Sequence, residues 1–263
     1  MITYPSLGKN GRLGNQMFQI ASTLGLAHTF GQKASFPRWS YQPYFNIPAG
    51  FFSEQPGMPA SVLARQIAPR HRNYLQDFHL FSEIDKEIRE YFKPSQAFAE
   101  ALQKKYADFL QVPDKTAIHI RRTDYTMMNK SYRSLPLAYY EDGIRRLRRE
   151  FPTTEFFVFS DDIEWCKNNL PRECHFVSES FAFELNDRGF PQGNATDVED
   201  LLLMTLCQHH ICSNSTYAWW AAYLSENEDP IIPREWFGED LADLKMEHYL
   251  LPKWRPIETP RPW

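Results

Sequence analysis

Apolar and polar positions alternate most regularly in the second half of the chain, where strand patterns and helix patterns follow one another. Apolar runs predict strands at residues 117–120, 155–160, 174–177, 209–213 and 230–232. Apolar residues at three- and four-residue spacing predict helices at 137–150, 162–170, 197–208 and 216–226. Strands that alternate with helices pair in parallel, so the pattern predicts an α/β fold with a doubly wound parallel sheet.

The first half of the chain is less regular. Its pattern predicts strands at residues 2–4 and 34–36, and helices at 13–30 and 95–111. Gly31 is placed to end the first helix. Five prolines fall within residues 37–60, which therefore read as a long ordered loop, and such loops are often binding surfaces. Pro113 and Asp114 mark a domain boundary, which divides the chain into residues 1–112, residues 113–250 and a C-terminal tail of residues 251–263.

Composition and charge exclude several classes of protein. With 263 residues, of which 43% are hydrophobic, the chain is long enough for two domains with real cores. The net charge of -4 argues against a nucleic-acid partner, which usually needs a basic face. The four cysteines lack a C-x2-C pair, so we expect reduced, buried thiols and no zinc site. They are Cys166, Cys174, Cys207 and Cys212.

The sequence also indicates where in the cell the protein is located. The first residues, Met1 to Pro5, do not form a signal peptide, and no window has the roughly 18 apolar residues of a membrane span. We therefore expect a cytoplasmic protein. A run of four arginines, Arg145, Arg146, Arg148 and Arg149, either forms a solvated helix face or makes a peripheral contact with an acidic membrane at its inner face.

Two adjacent arginines, Arg121 and Arg122, follow the strand 117–120 at its carboxyl end. A guanidinium cannot be neutralised, so each must be paired or solvated. Open α/β sheets bind ligands beyond the carboxyl ends of their strands, and the planar arginine fork suits a pyrophosphate. The motif indicates either phosphate binding, with His119 as a further donor, or a surface ion-pair network that includes Asp124.

A glycine-rich turn lies between the first strand and the first helix. It contains Gly11, Arg12, Gly14, Asn15 and Gln16. Glycines there let the backbone approach a ligand, and a helix N-terminus favours an anion. The spacing is neither a Walker A loop nor a G-x-G-x-x-G fingerprint. The alternative is an ordinary glycine turn closed by an amide cap.

Three further segments lie where predicted strands end or predicted helices begin. Ser160 or Asp161 either caps the next helix or lies near a nucleotide, and the Asp161-Asp162 pair is not a D-x-D metal motif. Asp200 either complements a helix dipole or accepts two N–H bonds from a guanine edge. A polar loop that opens a helix is a candidate anion site; its residues are Ser213, Asn214, Ser215 and Thr216. Beyond it, Trp219 and Trp220 either pack that helix on the sheet or stack on a sugar.

Taken together and in this order, these motifs resemble the α-1,2-fucosyltransferase family, glycosyltransferase family 11. Residues 11–19 are similar to its N-terminal signature, and residues 119–125 to the H-x-R-R-x-D motif that it shares with α-1,6- and protein O-fucosyltransferases. Residues 156–166 and 213–224 are similar to its later motifs. Thr123 stands where bacterial members often have glycine, and the α-1,6 enzymes also carry threonine there.

The resemblance implies a GT-B-like fold of two Rossmann-type domains that face a central cleft. It implies GDP-β-L-fucose as the donor, inversion at the anomeric carbon, no cofactor and no required metal, and a β-galactoside oligosaccharide as the acceptor, fucosylated at O2 of a terminal galactose. Residues 1–112 are then the acceptor-side domain, and residues 113–250 bind GDP-fucose. The alternatives are a fucosyltransferase of another linkage, α-1,6 or α-1,3, and a non-catalytic protein that binds sugar nucleotides or glycans.

Candidate roles follow for individual residues. Arg121 is expected to stabilise the charge on the leaving phosphate. The α-1,6 enzymes carry a glutamate base where this chain has Asn129, so that base is not carried over, and Asp124 either acts as the general base or pairs with an arginine or caps a turn. Aromatic residues of the proline-rich segment are expected to bind the acceptor: Trp39, Tyr41, Tyr44 and Phe45. The remaining motif residues bind the donor: Gly11, Arg12, Gly14, Asn15, Gln16, His119, Arg122, Ser160, Asp161, Asp200, Ser213, Asn214, Ser215 and Thr216.

Overall fold

Parallel strands form two separate sheets in the computed structural model, which describes residues 1–67, 74–127, 130–177, 195–241, 244 and 246–259. The chain divides into two units. The first contains the described residues of Met1–Lys105 and of Phe183–Val198, and the second those of Tyr106–Ala182 and of Glu199–Trp263. The expected boundary at residue 113 and the expected roles of the two domains stay predictions.

The first unit has a small three-stranded sheet in the order β2-β1-β3, with all neighbours parallel. Its strands are β1 (Ile2–Thr3), β2 (Ala34–Ser35) and β3 (Met58–Pro59). Its helices are α1 (Leu13–Thr29), α2 (Ala60–Ile67), α3 (Asp85–Tyr91) and α4 (Gln96–Lys105). The predicted first helix is confirmed, and Gly31 just beyond it has a φ of 58°, the left-handed geometry that ends helices.

Two predictions for the first half need correction. Residues 37–60 are not a plain loop, because they contain β3 and two 3-10 helices, Gln42–Tyr44 and Ala49–Phe51. Pro43 lies in the first of these, where its fixed φ favours a turn. The single helix predicted at 95–111 is wrong: it breaks at Tyr106, with φ of -116° and ψ of 34°, into α4 and α5 (Ala107–Gln111).

The second unit holds a four-stranded parallel sheet in the order β6-β5-β4-β7. Its strands are β4 (Lys115–Ile120), β5 (Glu155–Ser160), β6 (His175–Phe176) and β7 (His209–Ile211). The helices that follow α5 are α6 (Thr123–Met127), α7 (Leu137–Glu150), α8 (Ile163–Asn169), α9 (Ala195–Thr205) and α10 (Thr216–Leu224). The predicted α/β architecture with a parallel sheet is confirmed, and α7 has the bounds that the sequence predicted.

The strand predicted at 230–232 is wrong, because only Ile231 pairs with the sheet, in a single parallel bridge to Ile211. Pro230 and Pro233 flank this position. A proline has no N–H to donate, so a longer ladder cannot form here.

The core of the second unit lies around the buried central strands. Every residue of β4 is buried, and in β5 only Glu155 is exposed, as expected for parallel strands that are covered on both faces. Trp219 and Trp220 are both 0% exposed, so the prediction that they pack inside the protein is confirmed. Trp254 packs against Trp219 with ring centroids 5.7 Å apart, which anchors this part of the C-terminal segment.

The four cysteine thiols lie inside the protein. All four cysteines are buried and free, as predicted, and burial raises the pKa of Cys212 to about 12.

On α7, Arg145 pairs with Asp142 and Arg148 pairs with Glu173. These pairs fit a solvated face, and the membrane contact stays a prediction. Within the described part of the chain, every helix is too short or too polar to cross a bilayer.

Candidate active site

The carboxyl ends of three neighbouring strands bring the second-unit motifs together. In the sheet, β4 lies between β5 and β7, and the register pairs Ile120 with Ser160 and Ile118 with Ile211. The segments that leave these strands therefore start at the same edge. This edge carries the arginine motif, the Ser160-Asp161-Asp162 segment and the polar loop Ser213–Thr216.

Arg121 is held between two carboxylates. Its Nη1 lies 2.9 Å from Oδ2 of Asp161, and its Nη2 lies 2.7 Å from Oδ2 of Asp124. Burial alone would lower the pKa of Arg121, but the two carboxylates outweigh it, so the pKa is raised. The side chain of Arg121 is 13% exposed. The result is a permanently charged guanidinium that is fixed in direction and retains a small accessible surface.

Asp161 organises the chain that leaves β4. Its side chain is 2% exposed. Besides the ion pair with Arg121, it accepts hydrogen bonds from the backbone N–H of Arg122 at 2.9 Å and from Oγ1 of Thr123 at 2.6 Å. These three partners all belong to the arginine motif. The carboxylate of Asp161 thus holds that motif in place.

Arg122 has different surroundings from Arg121. Its Cζ lies 3.9 Å from the ring centroid of Trp165, and its Nε lies 3.2 Å from Oδ2 of Asp162. Asp162 also caps α8 by accepting a bond from the N–H of Trp165. The cap predicted at Ser160 or Asp161 is therefore wrong, because Asp161 is engaged by the arginine motif and Ser160 accepts from the N–H of Asp162.

His119 is buried against the polar loop. Its Nδ1 lies 2.7 Å from Oγ of Ser213, and its ring centroid lies 5.3 Å from that of Tyr217. Burial lowers the pKa of His119 to about 3; the Asp161 carboxylate opposes this shift and the Arg121 charge adds to it. The imidazole is therefore neutral at ordinary pH and serves as a hydrogen-bonding group without charge.

Internal hydrogen bonds fix the polar loop. Nδ2 of Asn214 donates to the carbonyls of Arg133 and Trp236, and Tyr125 donates its hydroxyl to the carbonyl of Asn214. Oδ1 of Asn214 is buried and has no hydrogen-bond partner among the residues that the structure describes. Ser215 caps α10 by accepting from the N–H of Tyr217. Thr216, the first helical residue, is only partly buried.

Two more of the expected site residues lie in this unit. Asp124 pairs with Arg121 and its side chain is 30% exposed, whereas Asn129 lies outside the described residues. Asp200 lies in α9 and is 3% exposed. A carboxylate that deeply buried must be hydrogen-bonded, whether to the protein or to a ligand. The guanine-reading role of Asp200 stays a prediction.

The glycine turn lies in the first unit. Gly11 has a φ of 75°, and a Cβ at this position would lie 2.6 Å from Cβ of Asn15, so the turn requires glycine. Arg12 is the N-cap of α1, and its side chain makes no capping bond. Nε2 of Gln16 donates to the carbonyl of Gly11 at 2.8 Å, and Oδ1 of Asn15 accepts from Gln76 at 2.7 Å. Gly14 is the second residue of α1.

The aromatic residues expected to bind an acceptor are largely internal. Trp39 is 4% exposed and Tyr41 is 3% exposed. The hydroxyl of Tyr41 donates to Oδ2 of Asp197 at 2.6 Å, and burial followed by this carboxylate raises the pKa of Tyr41. Phe45 is buried as well, whereas Tyr44 is partly exposed beside Phe98. Of this group, Tyr44 offers the most surface to a sugar.

Sequence reasoning missed three aromatic partners of the site. Trp165 stacks under Arg122, the ring centroid of Tyr125 lies 5.6 Å from Cζ of Arg121, and Tyr132 stacks on Tyr125. One signal was available, since Tyr125 lies only four residues after Arg121 in the sequence. Trp165 and Tyr132 come from segments whose approach depends on the tertiary fold.

The sequence of this chain is similar to a family profile and to several named proteins. The sequence profile described as glycosyl transferase family 11 matches residues 66–258. The α-1,2-colitosyltransferase of Escherichia coli is 35% identical over 173 residues, which are 64% of this chain and 56% of that protein. The O-antigen biosynthesis glycosyltransferase WbnK of Escherichia coli is 33% identical over 51% of this chain and 43% of that protein. These two matches span about half the length of each relative.

A mammalian relative and two solved structures extend the comparison. Human galactoside α-(1,2)-fucosyltransferase 1 is 25% identical over 95% of this chain and 74% of that protein. The fucosyltransferase NodZ from Bradyrhizobium has a TM-score of 0.51 at 13% identity, covering 84% of this chain and 90% of that chain. POFUT1 in its apo form has a TM-score of 0.50 at 12% identity, covering 86% and 94% of the two chains. At such identities the likeness concerns the fold, and the expected GT-B-like class is confirmed.

Proposed function

This chain belongs to glycosyl transferase family 11, and we propose that it transfers L-fucose from GDP-β-L-fucose to a glycan hydroxyl, with inversion at the anomeric carbon and without a required metal ion. The observation that carries the proposal is the fixed guanidinium of Arg121 at the carboxyl edge of β4. The acceptor we propose is O2 of a terminal galactose in a β-galactoside. Relatives named as galactoside α-1,2-fucosyltransferases support that choice.

Arg121 is the residue that we propose acts on the leaving group. Negative charge grows on the β-phosphate of GDP as the bond to fucose breaks. A guanidinium has five N–H donors; the hydrogen bond to Asp124 uses one of them, and the ion pair with Asp161 engages Nη1. The others remain for phosphate oxygens. A fixed donor aimed at developing charge contributes about 3–4 kcal/mol to the transition state.

Donor contacts are proposed in both units. In the second unit, His119 and the loop Ser213–Thr216 lie at the same sheet edge as Arg121, which supports a phosphate-binding role for them. Asp200 is the proposed reader of guanine. In the first unit, Gly11, Gly14 and Asn15 are proposed to contribute backbone and amide contacts, with Arg12 beside them. Ser160, Asp161 and Arg122 act by shaping this edge, because their side chains bind protein groups.

The proposed general base is Asp124. An inverting transfer needs a group that takes the proton of the acceptor hydroxyl, and a carboxylate is suited to this. The side chain of Asp124 is 30% exposed and lies beside Arg121, the residue that we propose acts on the leaving group. Tyr44 is the proposed sugar-stacking residue for the acceptor, since Trp39 and Tyr41 are buried.

The test is a transfer assay. Purified protein is incubated with GDP-fucose and a panel of β-galactosides, with and without EDTA, and the products are read by mass spectrometry. A fucosylated product that forms at equal rates in both conditions supports the proposal. Loss of activity in EDTA that added Mg²⁺ or Mn²⁺ restores would contradict metal independence. GDP binding without transfer or donor hydrolysis would favour a non-catalytic binding protein.

The name of one relative favours a different donor sugar. The relative with 35% identity is named an α-1,2-colitosyltransferase. Colitose lacks the 3-hydroxyl group of fucose, so a site that hydrogen-bonds this hydroxyl should reject it strongly. Competition between GDP-fucose and GDP-colitose for the same acceptor separates the two. A kcat/KM ratio that favours GDP-colitose would reassign the donor and leave the glycosyl transfer in place.

A further inference from the structure

Two buried glutamine amides hold the backbone of the glycine turn. Nε2 of Gln16 donates to the carbonyl of Gly11 at 2.8 Å, and Nε2 of Gln19 donates to the carbonyl of Asn10 at 3.1 Å. Gln16 is 3% exposed and Gln19 is 0% exposed. They stand three residues apart on α1, so they lie on one face of that helix. Two consecutive carbonyls are thus directed at the body of the first unit.

This arrangement sets the direction of two N–H groups. In a trans peptide the C=O and N–H bonds point in opposite directions, and the described residues contain no cis peptide. The carbonyl of Asn10 shares a peptide with the N–H of Gly11, and the carbonyl of Gly11 shares one with the N–H of Arg12. Because both carbonyls point to the glutamines, both N–H groups point away from them. Anions are bound by such successive N–H groups.

Trp39 fixes the orientation of the Gln16 amide. The indole Nε1 of Trp39 donates to Oε1 of Gln16 at 2.7 Å. An indole N–H can only donate and a carbonyl can only accept, so the amide must face them with its oxygen and its nitrogen respectively. The ring of Trp39 is itself held by a stack on Phe45, with centroids 5.6 Å apart. Both polar ends of Gln16 are therefore used within the first unit.

The side chain of Gln19 lowers the stability of the folded state. Its Oε1 is buried and has no hydrogen-bond partner in the part of the chain that the structure describes. A buried acceptor without a partner destabilises the folded state. Leucine or methionine would avoid that cost but would lose the bond to the carbonyl of Asn10. The presence of glutamine indicates that this bond has a use.

We propose that Gln16 is a positioning residue for the donor, supported by Gln19 and oriented by Trp39. Together they present the N–H groups of Gly11 and Arg12 to the diphosphate of the sugar nucleotide. This inference rests on the proposed function, since it needs a nucleotide diphosphate as the ligand. It replaces the expected direct contact between Gln16 and the donor, and it gives the buried Trp39 a role in donor binding.

The first test compares Gln16→Met with Ser35→Ala. Methionine has the length of glutamine and removes both hydrogen bonds. Ser35 is 0% exposed and accepts a bond from the N–H of Gln55 in the same unit, so its replacement is a matched loss of a buried bond away from the turn. Gln16→Met should raise the Kd for GDP and the donor KM at least about tenfold with a smaller change in kcat, whereas Ser35→Ala should leave all three near wild type.

The turn can be observed directly. The chain has 11 glycines, so protein labelled with ¹⁵N-glycine gives few backbone signals, and Gly11 is the one glycine in the sequence that follows an asparagine, so adding carbonyl-¹³C-asparagine assigns its signal. Adding GDP to the wild type should shift the Gly11 signal, and Gln16→Met should reduce that shift at equal occupancy. A Gly11 signal that shifts equally in both proteins would overturn the positioning role, as would an unchanged Kd.

Gln16→Glu supplies a reversible version of the same test. A protonated glutamate can donate to the carbonyl of Gly11 and accept from Trp39, but an ionised one places negative charge against that carbonyl. Its affinity for GDP relative to wild type should therefore be low at pH 9 and recover toward pH 6. Equal affinities at every pH would overturn the inference. If the wild type binds no GDP at all, the proposed function fails instead, so the two failures are distinguishable.

Discussion

Nη1 of Arg121 lies 2.9 Å from Oδ2 of Asp161, a carboxylate that is 2% exposed and directly follows the neighbouring strand β5. The same carboxylate accepts from the N–H of Arg122. The pairing of β4 with β5 thus places a buried negative charge directly behind the cation that we propose acts on the leaving group. Asp161 fixes the position of that cation, and Arg121 supplies the charge.

Arg121→Ala should lower kcat by at least about 100-fold, because a fixed donor aimed at developing charge is worth about 3–4 kcal/mol. Arg121→Lys should recover little, since lysine lacks the fork that pairs with two groups at once. Steady-state kinetics check both. Arg145→Ala, which removes an exposed arginine of α7, should leave turnover unchanged. Near wild-type turnover in Arg121→Ala would remove this residue from the mechanism.

Asp161→Asn should weaken both activity and stability. Breaking a buried ion pair from one side typically costs about 3–5 kcal/mol, and Arg121 would lose the group that fixes it. We expect a lower denaturation midpoint and a lower kcat. Asp162→Asn is the matched control, because it breaks the more exposed ion pair with Arg122 while asparagine keeps the helix cap. Equal effects in the two variants would show that the pair with Arg121 has no special role.

Asp124→Asn tests the general base. If Asp124 takes the acceptor proton, the variant should lose turnover and the acid limb of its pH–rate profile should disappear. Thermal unfolding serves as the control for folding. A variant that keeps the acid limb at the same pH would leave Asp124 as a partner of Arg121 alone, consistent with their 2.7 Å contact.

Asp200→Asn tests the reading of guanine. Asparagine keeps the volume of this buried side chain but replaces one acceptor oxygen with a donor. Affinity for GDP should fall at least about tenfold, with a smaller change for a pyrimidine diphosphate such as UDP. Calorimetric titration of the folded variant with both nucleotides gives the answer. An unchanged affinity for GDP would exclude this role.

His119 should make stability depend on pH. Burial lowers the pKa of His119 in the folded state to about 3, while the pKa in the unfolded chain has its ordinary value of about 6.5. Below the unfolded pKa, the unfolded chain binds a proton that the folded state does not, so this contribution to the free energy of unfolding falls as the pH drops from 6.5 toward 3. The slope from one such group approaches about 1.4 kcal/mol per pH unit. His119→Gln should have a shallower slope than wild type between pH 6 and pH 4 in urea unfolding. Identical slopes would contradict a neutral, buried imidazole.

The secondary structure was predictable from the sequence where a local pattern alone determines the element. The apolar run of β5 and the amphipathic spacing of α7 are local patterns, and both match the structure. The break at Tyr106 was not predictable, because both flanking segments favour helix and the hydroxyl of Tyr106 bonds with Glu199, which is far away in sequence. The single bridge at Ile231 was predictable in principle from the prolines beside it.

The site was predictable as a set of positions but not as a set of roles. Parallel strand order explains why Arg121 and Asp161 meet, since both follow a predicted strand. Their separate roles depend on the burial of Asp161 beside Arg121. Burial of that kind is decided by tertiary packing, which a sequence pattern does not show. For the same reason Trp39 reads as an exposed binding residue, although it is buried and donates to Gln16.

Linkage analysis of a reaction product tests the central claim most directly. GDP-fucose, EDTA and a β-galactoside acceptor are incubated with the protein, and the purified product is examined by permethylation and proton NMR. We predict an α-linked fucose on O2 of the terminal galactose, formed from the β-linked donor. A fucose on any other hydroxyl would contradict the proposed linkage, and the absence of both product and GDP release would contradict the proposed activity.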